Sequence, residues 1–297
     1  LSDVSPRWRA LAALLFGASV IGVSPILFRL AEVGPAAAAF WRLVFAVPFL
    51  LTMTWRTEGG PGRPSRLTAI AGVMFAGDLI FWHYGIQYTT VAKATVLSNL
   101  TPVIVTIFAW VFLKDRPRAL FLAAVALAVG GAWTMALTKG AGAPGVNEPL
   151  GDLFSAGTAV WYALYMVLVG LARRRESAGR VMVWSSIVGA PIMLVAALVL
   201  GERILPISLA GWAACVGLGL THFAGQGSIA WALGRLPTST ASVVVLVQPI
   251  VAGALGWLLF AEALGPLQGL GAAVALAGVV LAQWATRPAA QPKTPNT

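Results

Sequence analysis

The sequence predicts an all-α integral membrane protein: ten transmembrane helices, arranged as two inverted five-helix repeats around a central cavity. Three observations carry this. Hydrophobic residues make up 59% of the chain and charged residues only 10%, whereas a soluble domain carries about 25% charged residues. Ten apolar stretches approach the roughly 20 residues that a helix needs to cross the hydrocarbon core. The second half of the chain also repeats residues of the first at a shift of 147.

The first five spans are expected at Trp8–Leu30, Ala36–Trp55, Leu67–Tyr88, Val91–Leu113 and Ala119–Leu137. The first of these reads as a span, not a cleavable leader, because no small-residue cleavage site follows it. A Gly- and Pro-rich loop, Thr138–Pro149, then divides the chain into repeats at 1–140 and 141–297, the second ending in a short tail. Five more spans are expected at Leu150–Ala172, Val181–Leu200, Ile207–Leu233, Ser239–Phe260 and Leu267–Ala285. Together they leave no room for a soluble domain.

The net charge of +10 reads as topology, not as a nucleic-acid site. Lys and Arg collect in cytoplasmic loops of membrane proteins. With a cytoplasmic N-terminus, fifteen Lys and Arg fall on the inside and four on the outside. Both termini are therefore expected in the cytoplasm, in a multi-pass protein of the bacterial inner membrane. The single cysteine, Cys215, reads as a small core residue.

The 147-residue shift aligns Ala94 with Ala241, Pro102 with Pro249, Trp110 with Trp257, Asp115 with Glu262 and Gly131 with Gly278. Small residues four apart, Ala126/Gly130 and Ala273/Ala277, suggest faces where helix backbones approach closely. Another offset places Pro48 opposite Pro191. Five spans is an odd number, so the second repeat enters the membrane upside down. Inverted repeats are a transporter architecture, with the substrate held near the midplane between halves. Pro102 and Pro249 near the centres of spans four and nine read as packing kinks or as hinges that line the cavity. Each removes a backbone donor and frees a carbonyl one turn earlier, which must find a partner in lipid.

The segments YGIQYTTVAKATVLSNLTPVIVTIFAWVFLKDRP and WALGRLPTSTASVVVLVQPIVAGALGWLLFAEALGP resemble the end of an EamA domain of the drug/metabolite transporter superfamily. FWRLVFAVPFLL, with Arg42, resembles that family's Arg-containing second helix. The resemblance covers about residues 8–285. It implies a ten-span bundle around a cavity lined by spans one, three, four, six, eight and nine, and export of amino acids, drugs or related metabolites. Within the family, the chain resembles the aromatic amino-acid exporters of the YddG type. The acidic residues Asp115 and Glu262 depart from the usual flanking pattern. Lys93 aligns with Thr240, which argues against phosphorylated sugars as substrates.

Ionisable groups inside spans are costly and usually face a cavity or a partner. Asp78, Trp82 and His83 lie in span three, Ser98 and Asn99 in span four, Trp161 and Tyr165 in span six. His222 and Gln226 lie in span eight and Gln248 in span nine. These ten are the candidate cavity and substrate-binding residues. Interfacial belts or hydrogen-bonded core positions are the competing reading for the aromatics and histidines. Arg42 is read as structural, tying span two to carbonyls or to the membrane surface. Asp78, His83 and His222 lack the spacing of a helical metal site, so no metal and no cofactor is expected. No nucleotide-binding loop stands out, so the chain carries no ATP-driven engine of its own.

The expected function is secondary export of neutral and aromatic amino acids and similar amphipathic metabolites by alternating access, by a chain working as a monomer. Asp78 or the amides would hold an amino group, and His or Arg a carboxylate. Export of drugs or quaternary cations is the alternative. A lipid-modifying membrane enzyme is a remote one, because the acid and base candidates lie deep and scattered.

Overall fold

In a computed structural model the chain is helical almost throughout its described residues, which are 6–89, 94, 97–113, 116–137, 147–260 and 265–285. No strand occurs among them. The first half contributes α1 (Pro6–Ile21), α2 (Ser24–Leu30), α3 (Pro35–Glu58), α4 (Arg66–Tyr88), α5 (Thr101–Leu113) and α6 (Ala119–Leu137). The second contributes α7 (Glu148–Ala172), α8 (Ala178–Val199), α9 (Leu209–Thr221), a π-helical turn His222–Gln226, and α10 (Gly227–Leu233). It closes with α11 (Thr238–Val245), α12 (Val247–Phe260) and α13 (Pro266–Ala285). Lys93, Asp115, Glu262 and most of the 138–149 loop lie outside the described residues.

Seven of these stretches are long and apolar enough to cross a membrane by themselves: α1 with α2, α3, α4, α7, α8, α11 with the first part of α12, and α13. The apolar cores of α5 and α6 are shorter, and the eighth expected span is three segments joined through the π turn. Length and composition alone thus account for fewer than the ten spans expected. Capping sets several starts: Ser65, Ser177 and Ser208 each accept a bond from the backbone amide three residues on, which satisfies a helix-end donor. Gly59, at φ 72°, closes α3 in the left-handed conformation that glycine adopts without strain.

The two halves pack as a two-fold exchange would require. α4 lies along α7, and the α9–π–α10 span lies along α1 and α2; α3 pairs with α8, and α6 with α13. The equivalent helices run antiparallel. A Cβ on Gly179 at the start of α8 would meet Thr54 near the end of α3. Further along, Gly189 faces Leu43. Beyond the end of α8, Glu202 reaches the amides of Ala36 and Ala37 at the start of α3. An axis that exchanges antiparallel helices lies across them, so the repeats are inverted.

The α6–α13 crossing shows the same symmetry at atomic contact. A Cβ on Gly131 would sit 2.3 Å from the Ala275 nitrogen and 2.6 Å from the Gly271 carbonyl. A Cβ on Gly278 would sit 2.4 Å from the Ala128 nitrogen and 2.8 Å from the Ala124 carbonyl. Each contact is the other displaced by 147 residues. The four-apart pairs Ala126/Gly130 and Ala273/Ala277 are not this face. Ala126, Ala273 and Ala277 are exposed, and nothing stands near a Cβ on Gly130. Small residues occur all round these helices, so spacing alone did not identify the buried row.

Spans four and nine are broken, not kinked, at equivalent places. Pro102 lies in the first turn of α5 and Pro249 in the first turn of α12; a proline there removes a donor that a helix start leaves unpaired anyway. The expectation of kinks at span centres is corrected to this extent. The carbonyl freed by Pro102 belongs to Ser98, and the Thr101 hydroxyl donates to it at 2.9 Å.

Loops clasp each other at both ends of the bundle. At the end away from the basic loops, the Glu202 carboxylate accepts from the amides of Ala36 (3.2 Å) and Ala37 (3.0 Å) and from the Tyr84 hydroxyl. Glu32 accepts from the amides of Ile207 (3.1 Å) and Ser208 (2.9 Å) and from the Ser208 hydroxyl. Those bonds hold Glu32 at φ 57°, a left-handed conformation uncommon outside glycine. Accepting them, with Arg203 nearby, lowers the Glu32 carboxyl below its ordinary range. At the basic end, Glu58 accepts from the Ser177 hydroxyl and lies 3.1 Å from Arg180, while the Trp184 indole donates to the Pro61 carbonyl at 3.0 Å.

Candidate functional site

Between these clasps, α3, α4, α7, α8, the π turn and α12 bring polar side chains into an apolar interior. Arg42 of α3 and Asp78 of α4 are both buried. They are electrostatically coupled, yet they form no ion pair. The Arg42 guanidinium lies 5.8 Å from the centre of the Phe75 ring, and its Nε has no hydrogen-bond partner. Phe75, three residues before Asp78, packs on Tyr165 (4.8 Å between ring centres) and on His222 (5.2 Å).

The π turn carries His222 and Gln226, which are 1% and 2% exposed. Such turns are rare and occur often at functional sites. The turn lies where α1 crosses: a Cβ on Gly17 would be 2.5 Å from the Gly225 carbonyl, so the backbones touch there. His222 Nε2 is 3.0 Å from the Ser186 hydroxyl of α8, whereas its Nδ1 has no partner. The amides of Gln226 and Gln248 are near the Tyr162 hydroxyl but fall short of hydrogen-bond geometry, and Gln226 Nε2, Gln248 Nε2 and Tyr162 Oη all stay unpartnered. Buried polar groups are nearly always hydrogen-bonded, so this concentration of unmet groups makes the region the candidate site.

Arg42 also borders a cavity of about 20 Å³, lined with it by Ser24, Phe28, Ala38, Ala39, Trp82, His83 and Leu218. It has room for about one water. His83 packs against Phe28 (4.9 Å) and Trp82 (4.8 Å), and its Nδ1 lies 2.6 Å from the Leu79 carbonyl.

Of the residues expected from sequence, Asp78, Trp82, His83, His222, Gln226 and Gln248 lie in this interior region. Tyr165 is there too, fully buried, with its hydroxyl 3.7 Å from the Met182 sulfur. Trp161 instead packs on α4: a Cβ on Gly77 would be 2.5 Å from its ring, and Phe81 lies at 5.7 Å. Ser98 turns its hydroxyl back onto the Ala94 carbonyl at 2.7 Å. Asn99 keeps a buried, unpartnered Nδ2 at the break in span four. Arg42 was expected to bind carbonyls or the membrane surface; it does neither, and faces the interior cluster. Sequence reasoning did not select Phe75, Phe28, Ser24 or Tyr162. The helical spacing of Phe75 from Asp78, and the adjacency of Tyr162 to Trp161, were the available signals. Among the described residues, no group of three or more His, Cys, Asp or Glu is placed to hold a metal ion.

The family model described as EamA-like transporter family matches residues 8–137 and again 149–284. An uncharacterized transporter of Archaeoglobus fulgidus is 26% identical over 272 residues, which span 91% of this chain and 95% of that protein. Solute carrier family 35 member G1 of Mus musculus is 32% identical over 81 residues, covering 27% of this chain and 22% of the mouse protein. A solved crystal structure aligns with a TM-score of 0.80 at 15% identity, over 94% of this chain and 99% of the other; at that identity the likeness concerns the fold.

Proposed function

Because the chain belongs to the EamA-like transporter family, we propose that this multi-pass membrane protein exports neutral and aromatic amino acids and similar small amphipathic metabolites by alternating access. The observation that carries the reading is the cluster of buried, unmet polar groups between the inverted repeats, beside an aromatic-walled cavity. Bilayer-embedded polar groups are expensive, and a zwitterion with an apolar side chain meets both surroundings. In this reading Asp78 holds the substrate ammonium. The walls at Phe28, Trp82 and His83 stack on its side chain. Inverted repeats then expose the site to one side at a time. The breaks before Pro102 and Pro249 are the points at which spans four and nine bend.

A second reading is export of drug-like or quaternary cations. Asp78 and the aromatic walls favour it, since aromatic faces attract cations. Counterflow in proteoliposomes, with a panel of labelled amino acids and organic cations, separates the two. Accumulation of amino acids above empty vesicles is the expected result. Accumulation of none of the panel would sink both readings, and a cation-only profile would select the second.

A further inference from the structure

We infer that Arg42 and the amides of Gln226 and Gln248 form a subsite for a free carboxylate, so that Arg42 decides which substrates are accepted. The inference rests on the transport reading and deepens it. Arg42 is nine-tenths buried, with Nε unpartnered and no ion pair to Asp78. A buried guanidinium that has Asp78 in electrostatic reach but not in contact leaves its donors open, and a guest anion would fill them. The guanidinium offers donors only. Arg42 acts electrostatically on Tyr162 of α7, whose hydroxyl lies near the amides of Gln226 in the π turn and Gln248 in α12, none of them satisfied. Amides and a hydroxyl can all turn donors toward a bound oxygen, whereas the arginine fixes the sign of the guest.

The shape agrees with the charge. A guanidinium meets a carboxylate through two parallel bonds, which gives geometric as well as electrostatic selection. Arg42 also borders the cavity walled by Phe28, Trp82 and His83. A carboxylate seated on Arg42 therefore has the aromatic-walled space beside it and the Asp78 carboxylate within electrostatic reach of the same guanidinium. A molecule with a carboxylate, an ammonium and an apolar side chain uses all three. Subsite residues come from both repeats: Arg42 from the first, Gln226 and Gln248 from the second. Rearrangement of one repeat against the other would take the donors apart and release the carboxylate.

The test compares phenylalanine with phenethylamine, which has the same ring and amine but no carboxylate. Transport in proteoliposomes is measured for the unmodified protein and for Arg42→Gln and Arg42→Lys. The unmodified protein is expected to prefer the acid. Arg42→Gln is expected to lower kcat/KM for the acid by about ten- to hundredfold, the loss of a charge-assisted contact, with the amine little changed. Arg42→Lys is expected to recover part of the loss. Binding in detergent, read as ligand-induced change in Tm, follows the same order and does not depend on turnover. Equal loss for acid and amine in a folded Arg42→Gln protein would overturn the subsite, as would a preference of the unmodified protein for the amine. Movement of amines but not acids would leave transport standing and remove only the carboxylate assignment. Transport of neither would remove both.

Discussion

Glu58 and Glu202 perform the same task at opposite ends of the molecule. Each leaves the C-terminal end of one member of the antiparallel α3–α8 pair and binds the N-terminus of the other. Glu202 accepts from the Ala36 and Ala37 amides at the start of α3. Glu58 accepts from the hydroxyl of Ser177, the residue that caps α8. A carboxylate is stabilised at a helix N-terminus by the unpaired amides and the helix dipole. Inversion of the repeats places one such clasp at each end, and both are closed here.

Parting one clasp is expected to open one end. Glu202→Ala removes the bond from Tyr84 and two amide contacts, the latter worth about 1–2 kcal/mol. That corresponds to about a five- to thirtyfold change in an open–closed equilibrium. With Cys215→Ala as background and a single cysteine at Ser24, which lines the central cavity, a membrane-impermeant maleimide is expected to react faster from the side of residues 200–208. Glu58→Ala is expected to raise labelling from the other side. Unchanged rates in both variants would show that the clasps do not control entry.

Acid is expected to weaken the pairing of Glu32 with Ile207 and Ser208. Its carboxyl lies below the ordinary value because the backbone and hydroxyl of Ser208 and the Ile207 amide stabilise the charged form. A depressed carboxyl stabilises the fold above its unfolded value and loses that contribution as pH falls through its folded one. Glu32→Gln is therefore expected to have a lower Tm than the unmodified protein near neutral pH, and the gap is expected to narrow as pH falls below the ordinary carboxylate range. A gap independent of pH would refute the linkage.

Gly131 and Gly278 are equivalent positions in equivalent contacts, so each Gly→Ala change is expected to be costly, by about 1–3 kcal/mol from forced separation of close-packed backbones. Gly130→Ala meets open space and is expected to be neutral or stabilising by up to about 1 kcal/mol through helix propensity. Thermal unfolding in detergent of the three variants checks the ranking.

Thr101→Val takes the donor from the Ser98 carbonyl that Pro102 leaves free. Hydrogen bonds within membrane helices average about 0.6 kcal/mol with a maximum near 1.7, and a loss in that range is expected. Thr101→Ser keeps the hydroxyl and is expected to restore the stability. Equal losses for valine and serine would show that side-chain packing, not the bond, matters there.

Composition and repetition determined the class of this protein. A chain with so few charges cannot keep its apolar stretches in water, and the 147-residue shift that pairs Gly131 with Gly278 and Pro102 with Pro249 already specifies two copies of one unit. The odd number of expected spans pointed to inversion, and the antiparallel α3 and α8 carry it. What the sequence could not settle is which face of each helix points inward. In water, polar residues mark the outer face of a helix, and periodicity reveals the core. In lipid both faces are apolar, so Ala124, Ala128 and Gly131 look no different from Ala126 and Gly130. The same degeneracy hid Trp161 as a packing residue on Gly77 and led Arg42 to be assigned to carbonyls or the membrane surface. Tertiary packing decided those matters. Only the crossing of helices from both repeats turned isolated polar residues such as Arg42, Gln226 and Gln248 into one cluster.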